Sequence, residues 1–265
     1  MSDANIQSGL ESVPEQAGEA YSSVIELRQY TLKPGRRDEL IALFEEHFIE
    51  GQEQAGAHVL GQFRRRNRPD QFVWLRGFTD MEARRQALQG FYYGPIWRVH
   101  RDAANDTMID SDNVLLFKPA SGAGGFHLDQ NNRPGQDALE AAGGIIIATL
   151  YTFATPVEAG FIEFFEKEVT PGLRAAGAAI SGYFVTEASE NTFPALPVRE
   201  GEHIFAWFAS FVDEAAYESY LSALSENDIW IATLTPTLQG WLARPQEVLE
   251  LLPTRRSLMR HHLHR

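Results

Sequence analysis

The chain repeats itself, and that property limits its fold more than any other. At an offset of 121 residues, Val24–Tyr30 falls on Ile145–Tyr151 and Leu43-Phe44-Glu45 on Phe164-Phe165-Glu166. The same offset carries Ala55-Gly56-Ala57 onto Ala176-Gly177-Ala178, Gly61 onto Gly182 and Phe63 onto Phe184. The offset then changes once, to 133, and Trp74 meets Trp207, Phe78 meets Phe211, Asp80 meets Asp213, Leu88 meets Leu221 and Trp97 meets Trp230. The difference of 12 residues is one insertion in the second copy, near Ser189 to Glu202. Two copies of one module, 23–120 and 143–252, therefore account for most of the chain.

Within each copy the pattern reads β-α-β-β-α-β. Val24–Leu32 is strand-like and stops at the turn signal Lys33-Pro34-Gly35. Leu40, Leu43, Phe44, Phe48 and Ile49 form a helical stripe over Arg36–Ala55, with Gly56 as its C-terminal stop. His58–Arg65 and Gln71–Phe78 flank the hairpin turn Asn67-Arg68-Pro69-Asp70. Asp80 predicts the N-cap of a short helix to Leu88, Pro95 opens a helix running to Met108, and Asn113–Lys118 closes the module. The second copy repeats this as Gly144–Phe153, Val157–Ala176, Ala178–Glu187, His203–Phe211, Glu214–Leu221, Asp228–Leu238 and Glu247–Leu251. The fold class is thus α+β: tandem ferredoxin-like (βαββαβ) modules, each a four-stranded antiparallel sheet with its helices on one face. The other face of each sheet is expected to meet its twin, giving a pseudo-twofold barrel with helices outside. Residues 1–22 read as a disordered segment, 121–142 as a Gly-, Asn- and Asp-rich linker, and 253–265 as a tail.

A net charge of −13 argues against nucleic acid or an anionic membrane as partner. The basic clusters at Arg64, Arg65, Arg66 and Arg68 and from Arg255 to Arg265 read as a hairpin tip and a solvated end. The absence of cysteine excludes disulfides, thiolate metal sites and cysteine nucleophiles. The first twenty residues lack the apolar core of a secretory signal and no apolar run reaches membrane length, so a cytoplasmic protein is expected. The histidines show no HExxH or similar ligand spacing, and there is neither a phosphate-cradling glycine loop nor a GxSxG elbow. No metal and no cofactor are therefore expected.

Alternation sorts the strand side chains into two sets. Ile25, Leu27, Val73 and Leu75 form an aliphatic set; Glu26, Arg28, Tyr30, Trp74 and Arg76 form a polar and aromatic one. If the aliphatic set packs under the helices, the barrel interior receives the polar set, together with Thr149, Tyr151, Trp207 and Phe211 from the second copy. Such a mixed cavity suits a planar, oxygenated small molecule. Arg28 and Arg76 are then candidate catalytic residues that stabilise an enolate or phenolate, and Tyr30 one that donates or relays a proton. Glu26, Trp74, Trp97, Arg101, Asn105, Tyr151 and Trp207 are candidate substrate-binding residues, with Trp74 and Trp97 sandwiching a ring. The competing readings are an ion pair on a solvated face for Glu26 and Arg28, ordinary core for the tryptophans, and helix capping near Asp110–Asn113 for Arg101 and Asn105. The 189–202 insertion, with Pro194 and Pro197, is too long for a hairpin turn and is expected to cover the cavity or to reach a second subunit.

The stretch Val24-Ile25-Glu26-Leu27-Arg28-Gln29-Tyr30-Thr31-Leu32-Lys33-Pro34-Gly35 resembles the opening of a NIPSNAP-family domain. The blocks from Tyr93 to Asn105, from Met108 to Leu116 and from Glu190 to Glu202 extend the resemblance over nearly everything between residues 23 and 252. It implies the dimeric α/β-barrel (ferredoxin-like) fold, whose superfamily includes cofactor-free quinone-forming monooxygenases, haem-degrading enzymes and muconolactone isomerase-like proteins. The family itself has no general catalytic motif. The resulting expectation is a protein that binds a small hydrophobic, oxygenated metabolite in the barrel, as a cofactor-independent monooxygenase or isomerase. The alternatives are a non-catalytic binding or scaffold protein, and a haem-handling protein with His58 or His203 as axial ligand. A small-molecule ligand and further copies of the chain are the expected partners.

Overall fold

The computed structural model describes residues 22–139 and 144–261. The expectation for 1–22 lies outside the described residues except for Ser22, which is buried and 3.0 Å from His58 Nδ1. The first module comprises β1 (Val24–Leu32), α1 (Arg37–Leu43), α2 (Ile49–Gln54), β2 (His58–Arg65), β3 (Gln71–Phe78), α3 (Met81–Tyr92), α4 (Pro95–Thr107) and β4 (Met108–Pro119). The second comprises β5 (Ile145–Thr152), α5 (Ala159–Phe164), α6 (Thr170–Ala175), β6 (Ala179–Thr186), β7 (Ile204–Phe211), α7 (Glu214–Ser225), α8 (Thr235–Trp241) and β8 (Glu247–Pro253). Both copies join their first two helices through a π turn, Phe44–Phe48 and Phe165–Val169. Asp80 and Asp213 cap as expected, accepting from the amides of Ala83 and Ala216. Gly56 and Gly177 end the helix pairs at φ +98° and +109°, a conformation that costs other residues more.

The strands close into a barrel in the order β1-β3-β2-β8-β5-β7-β6-β4. Each module contributes the order 4-1-3-2 of the ferredoxin-like sheet. The two seams, β2 with β8 and β4 with β6, are pseudo-twofold equivalents and are short: Phe63–Arg65 with Leu251–Pro253, and Phe117–Pro119 with Phe184–Thr186.

The inside of the barrel reverses the expected assignment of faces. Ile25, Leu27, Val73 and Leu75 point inward and pack with Ile146, Ala148, Leu150, Ala206, Phe208, Leu249 and Leu251. Glu26, Arg28, Tyr30, Trp74 and Arg76 lie instead between the first sheet and its own helices. The reason is the supply of polar partners. The barrel interior is lined from both sheets by apolar side chains, whereas the helix layer offers Gln52, Arg84 and Tyr92.

Two further expectations change. The linker is anchored in part: Phe126 packs into the barrel core, and the Arg133 guanidinium binds Glu53 at 2.6 Å and the carbonyl of Val59. The described part of the tail, 253–261, is buried or half-buried rather than solvated. Met259 enters the same core, its amide binds the Leu60 carbonyl, and Arg256 is 3% exposed against Glu45 and Glu50. Phe126 and Met259 sit at matching places. A Cβ on Gly182 would lie 3.0 Å from the Phe126 ring, and one on Gly61 would lie 3.2 Å from Met259 Cβ. The repeated glycine thus leaves room for the equivalent ring two residues on, Phe63 or Phe184, and for the plug beside it.

The 189–202 insertion crosses to the first module. Phe193 is buried among Val24, Phe78, Ala87 and Leu88, and Thr192 Oγ1 donates to the Met81 carbonyl at 3.1 Å.

Candidate functional site

The sheet–helix interface of the first module holds a charge cluster. Because β1 and β3 pair with Glu26 opposite Arg76 and Arg28 opposite Trp74, these four side chains share one patch of the helix-facing surface. The Glu26 carboxylate accepts from Arg28 Nη1 at 3.0 Å, Arg76 Nε at 2.7 Å and Arg84 Nε at 2.6 Å. Arg28 Nε continues to the Tyr30 hydroxyl at 3.0 Å, and Arg76 Nη1 to Gln52 Oε1 at 2.8 Å. Arg84 Nη1 reaches Asn191 Oδ1 and Thr192 Oγ1 of the insertion at 3.0 and 3.2 Å. The Arg28 and Arg76 guanidiniums also lie 5.5 and 4.9 Å from the Trp74 ring, a cation–π arrangement.

Burial alone would raise the Glu26 carboxyl, but Arg76, Arg28 and Arg84 overcome it and hold it well below the usual carboxylate range. Burial lowers the Arg84 guanidinium, with Arg76 and Arg28 adding to the effect against Glu26. Burial raises the Tyr30 hydroxyl, so it stays protonated while it accepts from Arg28. Arg76 Nη2, Arg84 Nη2, Trp74 Nε1 and both amide atoms of Gln62, which faces Trp74 across β2 and β3, are buried without a hydrogen-bond partner.

The second module has the same architecture and different contents. Ile147 stands for Glu26, Thr149 for Arg28, Ala209 for Arg76 and Tyr217 for Arg84. Where the first module packs guanidiniums, the second opens a pocket of about 730 Å³ between β5, β7 and β8 and the helices α6, α7 and α8. Thr149, Tyr151, Trp207, Tyr217, Tyr220 and Trp230 line it. Burial pushes the Tyr151 and Tyr220 hydroxyls up, and Tyr217 likewise, with Glu250 adding and Arg66 opposing. Arg66 comes from the hairpin tip of the first module and pairs with Glu250 at 3.1 Å and with Glu214. Among the described residues the Tyr217 and Tyr220 hydroxyls have no hydrogen-bond partner.

One wall of this pocket is irregular. Trp230–Leu234 is a π turn leading into α8, where the first module has the uninterrupted α4. Arg28 pairs with Val114 and Thr149 with Val248, an offset of 134 where Trp97 and Trp230 are offset by 133. The π turn accommodates that added residue, and it does so beside the pocket.

The expected site residues therefore divide. Glu26, Arg28, Tyr30, Trp74 and Arg76 meet in the first module, and Trp97 packs nearby on Phe48, Phe91 and Tyr92. Arg101 and Asn105 are on the exposed face of α4, and Arg101 pairs with Asp102 at 3.3 Å. Tyr151 and Trp207 belong to the second pocket. Sequence reasoning missed Arg84, Gln52, Tyr217 and Tyr220; all are polar or aromatic interruptions on the inner faces of helices. His58 is half-buried, and burial lowers its imidazole; His203 lines a groove of about 570 Å³ beneath the insertion. Among the described residues no three His, Asp or Glu side chains gather as a metal site, and no helix is long and apolar enough to cross a membrane.

Comparison with known families places this architecture. The NIPSNAP family model matches residues 25–122, the span that carries the charge cluster. The first module is thus similar to a NIPSNAP domain. Two solved structures match the chain at nearly full length. A provisionally assigned monooxygenase from Lactobacillus acidophilus has a TM-score of 0.50 at 10% identity, over 91% of this chain and 100% of its own. Another from Fusobacterium nucleatum has a TM-score of 0.51 at 10% identity, over 93% and 99%. An uncharacterised NIPSNAP-like domain protein from Burkholderia xenovorans matches 37% of this chain and 86% of its own at 24% identity, with a TM-score of 0.35. No curated protein matches. The first two show that the same two-module α/β-barrel fold is found in other single chains.

Proposed function

We propose that the chain binds a small, planar, largely apolar molecule carrying oxygen atoms, in the pocket of the second module. The observation that carries this is the exchange of contents between the copies: one sheet–helix interface is filled, and its twin is an open space of about 730 Å³. That volume is within the ordinary range for small-molecule sites, roughly 300–1,000 Å³. Its lining has aromatic walls, hydroxyls that include those of Thr149 and three tyrosines, no carboxylate or histidine, and one cation, Arg244, which is exposed and paired with Glu202. A neutral guest with carbonyl or phenolic oxygens is the match, because protonated tyrosines donate to such oxygens without burying charge. Trp207 and Trp230 flank the guest, in place of the Trp74 and Trp97 pair read from the sequence.

The test is calorimetric titration with 1,4-naphthoquinone and 1-naphthol. One saturable site is expected in the wild type, about fivefold weaker in Tyr151→Phe, which removes one hydrogen bond worth on the order of 1 kcal/mol. Filling the pocket with Leu224→Trp should abolish binding while the protein stays folded. Heats unchanged by Leu224→Trp, or no heats at all, would reject this reading. Turnover is a narrower claim. The monooxygenase assignments of the two similar barrels make oxygen uptake in the presence of 1-naphthol the first reaction to try, and isomerisation the second. A pocket without a carboxylate or histidine base requires a substrate that ionises readily itself. Binding without turnover is the outcome that favours a non-catalytic binding protein.

A further inference from the structure

We propose that the guanidinium cluster of the NIPSNAP module is a second binding site, for a small oxyanion of carboxylate or phosphate type, closed by the 189–202 insertion. The site is independent of the pocket in the second module, which has Thr149, Ala209 and Tyr217 where Arg28, Arg76 and Arg84 stand.

The argument begins with charge. Three guanidiniums, each at most 1% exposed, share the single carboxylate of Glu26. Their other partners are neutral: the Tyr30 and Tyr92 hydroxyls, the Gln52 amide, Asn191 and Thr192. Buried charge without a counter-charge is costly, and a second anion would remove the imbalance. Donors come next. Arg76 Nη2, Arg84 Nη2 and Trp74 Nε1 are buried N–H groups with no acceptor, in a protein interior where such groups are normally satisfied. Planar guanidinium forks favour anions with two or more oxygens over a spherical ion. Room and access come from the insertion. Asn191 Oδ1 and Thr192 Oγ1 sit 3.0 and 3.2 Å from Arg84 Nη1, two neutral oxygens in the position that two anion oxygens would take. Both residues are half-buried and cover Arg84 from outside, so lifting them exposes the cluster without disturbing the sheet.

The test compares sodium phosphate, sodium acetate and sodium chloride at matched ionic strength and pH, by thermal unfolding and by calorimetry of the intact protein. A saturable rise in Tm is expected with phosphate or acetate, on the order of 5–10 °C at a hundredfold excess over Kd. Chloride should not reproduce it. The response should be lost in Arg84→Gln and kept in Arg85→Gln, which removes a neighbouring exposed arginine paired with Glu82. If Arg84→Gln does not fold, Asn191→Ala replaces it: this variant removes a competing oxygen, and the oxyanion should bind severalfold tighter. Equal shifts with all three salts, no shift with either oxyanion, or an affinity indifferent to Asn191→Ala would each overturn the proposal. A protein that binds 1-naphthol but no oxyanion would overturn this site and leave the pocket standing.

Discussion

Glu26→Gln should destabilise the protein by about 3–5 kcal/mol, the usual consequence of removing one member of a buried ionic network. The carboxylate is fully buried and accepts from three guanidiniums. An amide in its place offers one acceptor and turns two N–H donors toward cations that are themselves only donors. For a chain of this size the loss corresponds to a fall in Tm on the order of 6–20 °C. The pH dependence has a definite sign. Arginine neighbours hold the native carboxyl well below its unfolded value, so its contribution is complete above the ordinary carboxylate range. It is lost only as pH falls toward the depressed native value. The gap between wild type and Glu26→Gln should therefore be the same at pH 7 and pH 5.5 and should close only in strong acid. Urea denaturation at several pH values measures it; a gap below 1 kcal/mol would contradict the account. The second module supplies the control. Combining Glu26→Ile, Arg28→Thr, Arg76→Ala and Arg84→Tyr installs the residues that its twin folds with, and should recover most of the loss.

How far this cluster was legible in the sequence depends on the strand. Alternation separates Ile25 and Leu27 from Glu26 and Arg28 correctly, yet it does not say which set faces the barrel. In most sheets the polar set marks the solvent side, but here both faces of β1 are covered, and Ile25, Glu26, Leu27 and Arg28 are all at most 1% exposed. The deciding quantity was where a buried charge finds partners. Gln52 and Arg84 carried that information as polar residues on helices otherwise apolar on their inner face. The duplication, by contrast, was readable because its landmarks are large or conformationally special: Trp74 and Trp207, Gly56 and Gly177, Asp80 and Asp213. The pocket of the second module lay hidden behind a one-residue shift after Trp230, where no landmark residue repeats. Pairing the inward Leu115 and Phe117 with Leu249 and Leu251 reveals it, but only once the inward face is known.

The tail is hard to read for a related reason: its four arginines, Arg255, Arg256, Arg260 and Arg265, outweigh Leu258 and Met259 in any composition argument. Deleting residues 254–265 is accordingly expected to remove most of the stability. Leu258 and Met259 are 1% and 2% exposed, and side chains of this kind contribute about 1.5–3 kcal/mol each when buried. Arg256 donates to the Glu45 carbonyl and to Glu50, charge-assisted bonds worth roughly 1.5–3 kcal/mol, and its loss leaves Glu45 buried without its partners. The Gln62 amide would lose Ser257 Oγ, and its carbonyl would lose the Thr254 amide. Against a total of about 5–15 kcal/mol for a native domain, the truncated chain should be largely unfolded or molten at 37 °C, seen as loss of near-ultraviolet circular dichroism. A truncated protein with wild-type Tm would refute the buried tail. Point variants separate packing from charge. Met259→Ala should cost about 2–5 kcal/mol and Phe126→Ala about 3–5 kcal/mol, because each plug closes the same barrel core against an equivalent glycine, Gly61 or Gly182. If only one of the two is costly, the pseudo-twofold symmetry of the strands does not extend to the way the barrel is closed.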